Sequence, residues 1–196
     1  MAEAAAGEEA GGKHPLEHRW TLWFDNPNGR VNNKTWGQTL RSVYTFGTVE
    51  EFWCLFNNII PPSALMHGAD FHVFKHGVEP KWEDPICASG GKWTCPVPRG
   101  QDSKSHLDAL WLHVLLALIG EQFTDGDDIC GAVVSVRKSQ DRVALWTKTS
   151  SNEAVQMSIG KELKTICGMG EISRIGYLVH QDAIKLDRKA KDRYTC

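Results

Sequence analysis

Apolar positions along the chain change period several times, and each change marks an element. Across residues 16–25, Trp20, Leu22 and Phe24 recur at every second position, the repeat of a half-buried strand. Asp25-Asn26-Pro27-Asn28-Gly29 then signals a loop, and a second strand is expected over 39–44. Thr48 and Glu51 form a capping box, and Val49, Phe52, Trp53, Phe56, Ile59 and Ile60 follow at helical spacing until Pro61-Pro62 ends the helix. Strands are expected over 69–75 and 90–94, the latter cut short or confined to an edge by Pro96 and Pro98. Ser105 and Asp108 give a second capping signal for a helix running to Gly120. That helix is apolar nearly all round, so it is either fully buried or divided between the core and a partner. A hairpin is expected from 129–137 and 142–148, and a third helix that starts with Ser151-Asn152-Glu153 and runs to about Cys167, closed by Gly168. A last strand is expected over 172–180, and from Gln181 the chain is polar and basic-leaning.

Mixed strands and helices with tight hairpins do not give the rhythm of a parallel sheet. The pattern predicts an α+β fold: one antiparallel sheet with three helices on one face and the other face free for a ligand. A length of 196 residues suits one core. Residues 1–13 are small and acidic and read as a disordered tail, leaving 14–196 as a single domain.

Composition narrows the function. A net charge of -2 argues against a whole-surface nucleic-acid binder but not against a local basic patch. The start has no apolar signal segment, and no apolar run reaches membrane length, so a cytoplasmic or nuclear protein is expected. Six cysteines show no zinc spacing and are expected as free, mostly buried thiols, with Cys87 and Cys130 a candidate redox pair. No phosphate loop, nucleophile elbow or His-Glu-x-x-His is present, and no cofactor is expected. Glu83 and Asp84 are adjacent, so in an extended segment they point apart rather than form an acid/base pair.

Eight tryptophans against three tyrosines are unusual, and Trp82 stands out among them. It sits in a charged loop between Pro80 and Pro85 with Glu83 beside it. An aromatic face next to a carboxylate suits a cationic ring that donates hydrogen bonds. Trp36, in Asn32-Asn33-Lys34-Thr35-Trp36-Gly37, has a similar setting and is expected to face it.

Taken together, several segments resemble the eukaryotic translation initiation factor 4E family, the messenger RNA cap-binding proteins. They are His14-Pro15-Leu16, Lys34-Thr35-Trp36, Thr48-Val49-Glu50-Glu51-Phe52-Trp53, Glu79-Pro80-Lys81-Trp82-Glu83-Asp84, Gly90-Gly91-Lys92-Trp93, Cys130-Gly131-Ala132-Val133-Val134 and Leu145-Trp146-Thr147. Asp84-Pro85 and Arg193-Tyr194-Thr195 look like plant members, and Ser151-Asn152-Glu153-Ala154-Val155 leans toward the plant isoform subclass. The resemblance implies a curved sheet of about eight strands, helices on the convex back and a ligand slot in the concave front. It implies that Trp36 and Trp82 sandwich 7-methylguanine while Glu83 reads its N–H edge. It implies that Arg137, Arg142, Lys92 and Lys185 hold the phosphates. It implies, too, a partner site for a factor 4G-type scaffold helix (Tyr-x-x-x-x-Leu-apolar) at His14, Pro15, Val49, Trp53, Leu112, Leu116 and Gly120, the chain acting as a monomer within a larger complex. On this reading Trp111, Leu115 and Leu118 stay in the core. His113 departs from the glutamate common in the family, and no serine stands near Arg188 where animal members are phosphorylated. Two other readings stay open: an enzyme acting on cap or nucleotide (a decapping hydrolase or guanine methyltransferase), and a cap-binding repressor homologue.

Overall fold

The two-residue alternation of the first strand sorts its side chains onto the two faces of one sheet. In the computed structural model, which describes residues 12–26, 39–98, 100–170, 172–186 and 189–196, β1 spans Pro15–Asp25. Trp20 and Leu22 enter the main core, and Thr21, Trp23 and Asp25 alternate to the other side. Next come β2 (Leu40–Thr48), β3 (Asp70–Lys75), β4 (Gly91–Pro96), β5 (Ile129–Ser135), β6 (Arg142–Thr147), β7 (Gly176–Val179) and β8 (Tyr194–Thr195). They form one antiparallel sheet in the order β2-β1-β3-β5-β6-β4-β7-β8.

Helices α1 (Val49–Asn58), α2 (Ser103–Ile119) and α3 (Glu153–Ile166) cover the back of the sheet, where Phe52, Leu107, Trp111, Leu115, Ile159 and Leu163 close the core with Trp20, Trp93 and Leu145. The Thr48 hydroxyl accepts from the Glu51 N–H at 3.2 Å. Glu51 reaches back one residue further than a capping box requires, accepting from the Gly47 N–H at 3.0 Å. α2 begins at Ser103 with Asp102 as its cap position, three residues before the cap expected at Ser105. Asp108, read as part of a cap, instead accepts from the Ser63 N–H (2.9 Å) and hydroxyl (2.6 Å), tying the turn Pro62–Ala64 to the helix. α3 is capped by Asn152, and Gly168 ends it at φ +61, a backbone region that favours glycine.

Two expectations need correction. β4 is not an edge: it pairs with β6 over Gly91–Pro96 and with β7 from Gly91 to Thr94. Pro96 ends the strand beyond the reach of β7, so its missing N–H costs no bond on that side. The C-terminal stretch also differs. The strand expected over 172–180 is only Gly176–Val179, and a fourth helix, α4 (His180–Leu186), follows before β8. The polar run after Gln181 concealed both. Arg193 anchors the return to Asp182 at 2.9 Å, and the Tyr194 hydroxyl donates to the Ser150 carbonyl at 3.0 Å.

A second, smaller apolar cluster lies on the front: Phe74, Val78, Cys87, Cys130, Val133, Ala144 and Trp146, with Trp82 packed against it. A bulge between Ile129 and Gly131 sends Ile129 to the back core and Cys130 to the front. There Cys130 meets Cys87, whose thiol is pushed up first by its hydrogen bond with Cys130 and then by burial. In the back core the Cys95 and Cys167 sulfurs lie 3.2 Å apart. Among the described residues no helix is long and apolar enough to cross a membrane.

Candidate functional site

Strand register assembles the front face from residues far apart in sequence. One row of Cα partners runs Asp25, Asp70, Ser135 and Arg142. The next runs Trp23, His72, Val133 and Ala144, and the third Phe74, Gly131, Trp146 and Lys92. One end of the face is therefore charged and the other aromatic. Gly131 has a specific reason: a Cβ there would come within 2.6 Å of the Phe74 ring. A cavity of about 280 Å³ opens over these rows, lined by Trp82 and Trp146 and by Asp70, Lys92, Arg137 and Arg142, with Lys92 beside Trp146 in the third row. A larger hollow of about 480 Å³ lies between the 3-10 turn Gly126–Asp128 and α3. It is lined by Asp125, Asp127 and Asp128, a field that repels anions.

The loop that presents Trp82 is folded by Asp84. Its carboxylate accepts from the Glu79 N–H (3.0 Å) and the Ile86 N–H (2.9 Å), and its carbonyl accepts from Cys87 and Ala88 (both 2.9 Å). Asp84 is thus the staple of the loop. The Trp82 ring is half-buried, lying 6.3 Å from His180 at 20°. His180 packs in turn on Trp146 at 4.3 Å, and Trp146 meets Phe74 edge-on at 5.5 Å. Burial first, then the charge of Lys92, pushes His180 down to about 3, so it buttresses the two indoles as a neutral ring. Glu83 is exposed, and among the described residues its carboxylate has no hydrogen-bond or ion-pair partner. Trp36 lies outside the described residues.

At the charged end Arg137 is held rigidly. Its Nη2 donates to both Asp70 oxygens (2.9 and 2.8 Å), and its Nη1 donates to the carbonyls of Ala69 (3.2 Å) and Val136 (3.0 Å). Asp141 accepts from the Arg137 N–H at 2.7 Å and shapes the hairpin that returns to Arg142. Desolvation, then the Arg142 charge, pulls Lys92 down to about 8, while Asp70 opposes the shift and Arg137 adds to it. Three cations crowd one cleft, an arrangement that lowers its energy when an anion enters. Lys185 is exposed on α4 and does not line the cavity.

Lys92 supplies a pH test. If Lys92 holds an anion as the sequence predicts, it must be protonated to do so, and affinity for that anion is expected to fall as pH rises through about 8. Relative to Lys92→Arg, which keeps its charge, wild type is expected to lose roughly tenfold between pH 7 and 9. Taking this ratio cancels titration of the ligand, and a flat ratio in calorimetric titrations would remove Lys92 from the anion site. Stability of the unliganded fold moves oppositely, rising with pH between the folded value near 8 and the ordinary 10.5.

On the back, Val49 and Trp53 of α1 and Leu112 and Leu116 of α2 are exposed or half-buried, whereas Trp111, Leu115 and Leu118 are buried. Trp111, Leu115 and Leu118 therefore lie in the core, as expected. Gly120 is exposed at the α2 C-cap. The His14 carbonyl accepts from the Val49 N–H at 2.9 Å, and its own N–H and ring bind the Glu50 carboxylate at 3.0 and 2.6 Å. His14-Pro15 is thereby fixed to the first turn of α1, and the His14 hydrogen bond draws Glu50 down to about 2.

Three residues of the front site had no sequence signal of their own, Asp70, His72 and His180, and the loop-folding part of Asp84 was not foreseen. Asp70 acts through Arg137, 67 positions away, and only the fold joins them.

The eukaryotic initiation factor 4E family model matches residues 15–195. The rice protein "Eukaryotic translation initiation factor 4E-1" (Oryza sativa subsp. japonica) is 58% identical over 182 residues, 93% of this chain and 77% of that protein. Its Arabidopsis thaliana namesake is also 58% identical over 182 residues, covering 93% of this chain and 74% of its own. Among solved structures, C. elegans eIF4E-3 in complex with the 4E-binding protein Mextli and a cap analog superposes with a TM-score of 0.84 at 38% identity, covering 94% of this chain and 100% of that one. Ascaris suum eIF4E-3 with an m7G cap gives 0.82 at 39% identity, covering 94% and 98%. Matched from the first strand to the last, the chain belongs to the eukaryotic initiation factor 4E family, in its plant type.

Proposed function

We propose that the protein binds the 7-methylguanosine cap of messenger RNA and delivers the transcript to a translation-initiation scaffold. The observation that carries this reading is one cleft lined both by indoles, Trp82 and Trp146, and by three cations, Lys92, Arg137 and Arg142. The methylated base is cationic, and it stacks between Trp82 and Trp36. Each indole face adds about 0.5–2 kcal/mol of cation–π attraction to ordinary stacking. Glu83 accepts from the guanine N1–H and N2–H. The triphosphate lies along Lys92, Arg137 and Arg142, with Lys185 reaching the outermost phosphate. On the back, a scaffold helix of the Tyr-x-x-x-x-Leu-apolar type seats on Val49, Trp53, Leu112, Leu116 and Gly120, with His14-Pro15 at the margin. The chain works as a cytoplasmic binding module, a single domain over 14–196 behind a short acidic tail, and performs no chemistry on its ligand. A Cys87–Cys130 disulfide, formed by loss of two protons and two electrons to a peroxide, would fasten the Trp82 loop to β5.

Tryptophan fluorescence titration with 7-methyl-GTP and with GTP tests the reading. Cation–π terms of this size on two faces predict a preference for the methylated form of roughly 5- to 1,000-fold. Equal affinities would sink the sandwich. Release of nucleotide product on long incubation with a cap analog would favour the hydrolase reading instead.

A further inference from the structure

The front face does not end at the cleft. On β4, Lys92, Thr94 and Pro96 alternate with the core residues Trp93 and Cys95, and on β7, Gly176 and Leu178 alternate with Tyr177 and Val179. Register pairs Lys92 with Leu178, Thr94 with Gly176, and Pro96 with Arg142 of β6. The middle pair is small and forms the floor of a second hollow, of about 380 Å³. Lys92 and Arg142 line both this hollow and the cleft, so they stand where the two meet. Resting on the cap reading above, we propose that the second hollow takes the first nucleotides that follow the cap, with Arg174 holding one of their phosphodiester groups.

Charge favours that occupant. Lys92, Arg142 and Arg174 line the hollow against one carboxylate, Asp192. Arg137 is already bound to Asp70, whereas the guanidinium of Arg174 is exposed and, among the described residues, has no hydrogen-bond or ion-pair partner. The register of β4 with β7, carried two residues past Gly176, brings Arg174 opposite Pro96. A cation then stands on either side of that proline, Arg142 and Arg174 lying two strand spacings, about 10 Å, apart at their Cα atoms. Asp192 marks the far rim, against Gly176, where any side chain would collide with its carboxylate. Its charge repels phosphate and keeps an anionic strand toward β6 and β4.

Continuity favours it too. A triphosphate on Lys92, Arg137 and Arg142 ends at the boundary of the hollow, and the next nucleotide is covalently joined to it. Tethering makes that contact effectively intramolecular, so one exposed arginine suffices to hold a group that it would bind weakly on its own. Pro96 and Leu178 supply apolar surface beside the cations, against which a base or sugar can lie. A contact of this kind reads charge and no base edge, so it is expected to be indifferent to sequence.

The test measures dissociation constants of 7-methyl-GTP and of a 7-methylguanosine-capped tetrauridylate for wild type, Arg174→Ala and Arg174→Glu over a series of salt concentrations. Arg174 is exposed, so both variants are expected to fold and melt as wild type does. Each phosphate contact to a single strand adds about 0.7 to the slope of log affinity against log salt. Arg174→Ala is expected to lose that increment with the capped tetrauridylate and to keep the wild-type slope with 7-methyl-GTP. Arg174→Glu should weaken the capped tetrauridylate roughly three- to tenfold at low salt and leave 7-methyl-GTP within about twofold of wild type. An unchanged slope for the tetrauridylate in Arg174→Ala, or equal weakening of both ligands in Arg174→Glu, would overturn the proposal while leaving the cap reading intact. Failure of wild type to bind 7-methyl-GTP at all would remove both readings.

Discussion

Glu83→Ala is expected to weaken 7-methyl-GTP binding by two to three orders of magnitude and to leave the melting temperature almost unchanged. Hydrogen bonds to a charged group each contribute about 1.5–3 kcal/mol, and the guanine edge presents two donors to this carboxylate. Nothing within the described fold depends on Glu83, which is exposed and has no partner there. Exposed substitutions of this kind usually change stability by less than about 0.5 kcal/mol. Calorimetric titration beside a thermal melt separates the two effects. The contrast with its neighbour is the sharper control. Asp84→Ala removes the staple of the loop, so it should lower both cap affinity and stability. If Glu83→Ala kept wild-type affinity, another group would have to be reading the guanine edge.

On the back of the sheet, Trp53→Ala is expected to weaken scaffold-peptide binding by roughly 30- to 1,000-fold, the range of a 2–4 kcal/mol hot spot. Cap affinity should stay within twofold, because Trp53 packs on the helical side of the sheet and the cleft opens on the other. The indole also meets Phe52 at 5.0 Å and Phe56 at 5.9 Å, so some loss of stability will accompany the change. Leu112→Ala provides the companion: it is half-buried on a different helix, and the same split between peptide and cap is expected. Undiminished binding of a Tyr-x-x-x-x-Leu peptide to both variants would move the scaffold site elsewhere.

These two experiments probe what was most legible in the sequence. Period-two and period-3.6 patterns placed seven strands and three helices, because each buries one face and repetition over several residues makes the pattern visible. Trp82 and Glu83 were legible because a large ring in a charged loop has no local cause. The rest was hidden for physical reasons. α4 and β8 are short and mostly polar, and they are held by long-range contacts such as Arg193 to Asp182 and Tyr194 to Ser150. Asp84 was set aside as an acid/base partner of Glu83 because adjacent residues point apart, and its role as a loop staple shows only once the loop is folded. His72 looked like any strand histidine. Only the register shows that it lies between an aromatic and a charged row.

The burial of Trp20, Trp93 and Trp111 in the back core has a practical consequence for optical work on this protein. Those three indoles are sealed from anything that enters the front cleft, so their emission is a fixed background. Even at full occupancy, quenching should plateau well short of darkness, and the unquenched remainder should be blue-shifted, as suits rings shielded from water. An apparently incomplete titration is then the signature of a saturated site, and a red-shifted residue of emission would instead report unfolded chain in the cuvette.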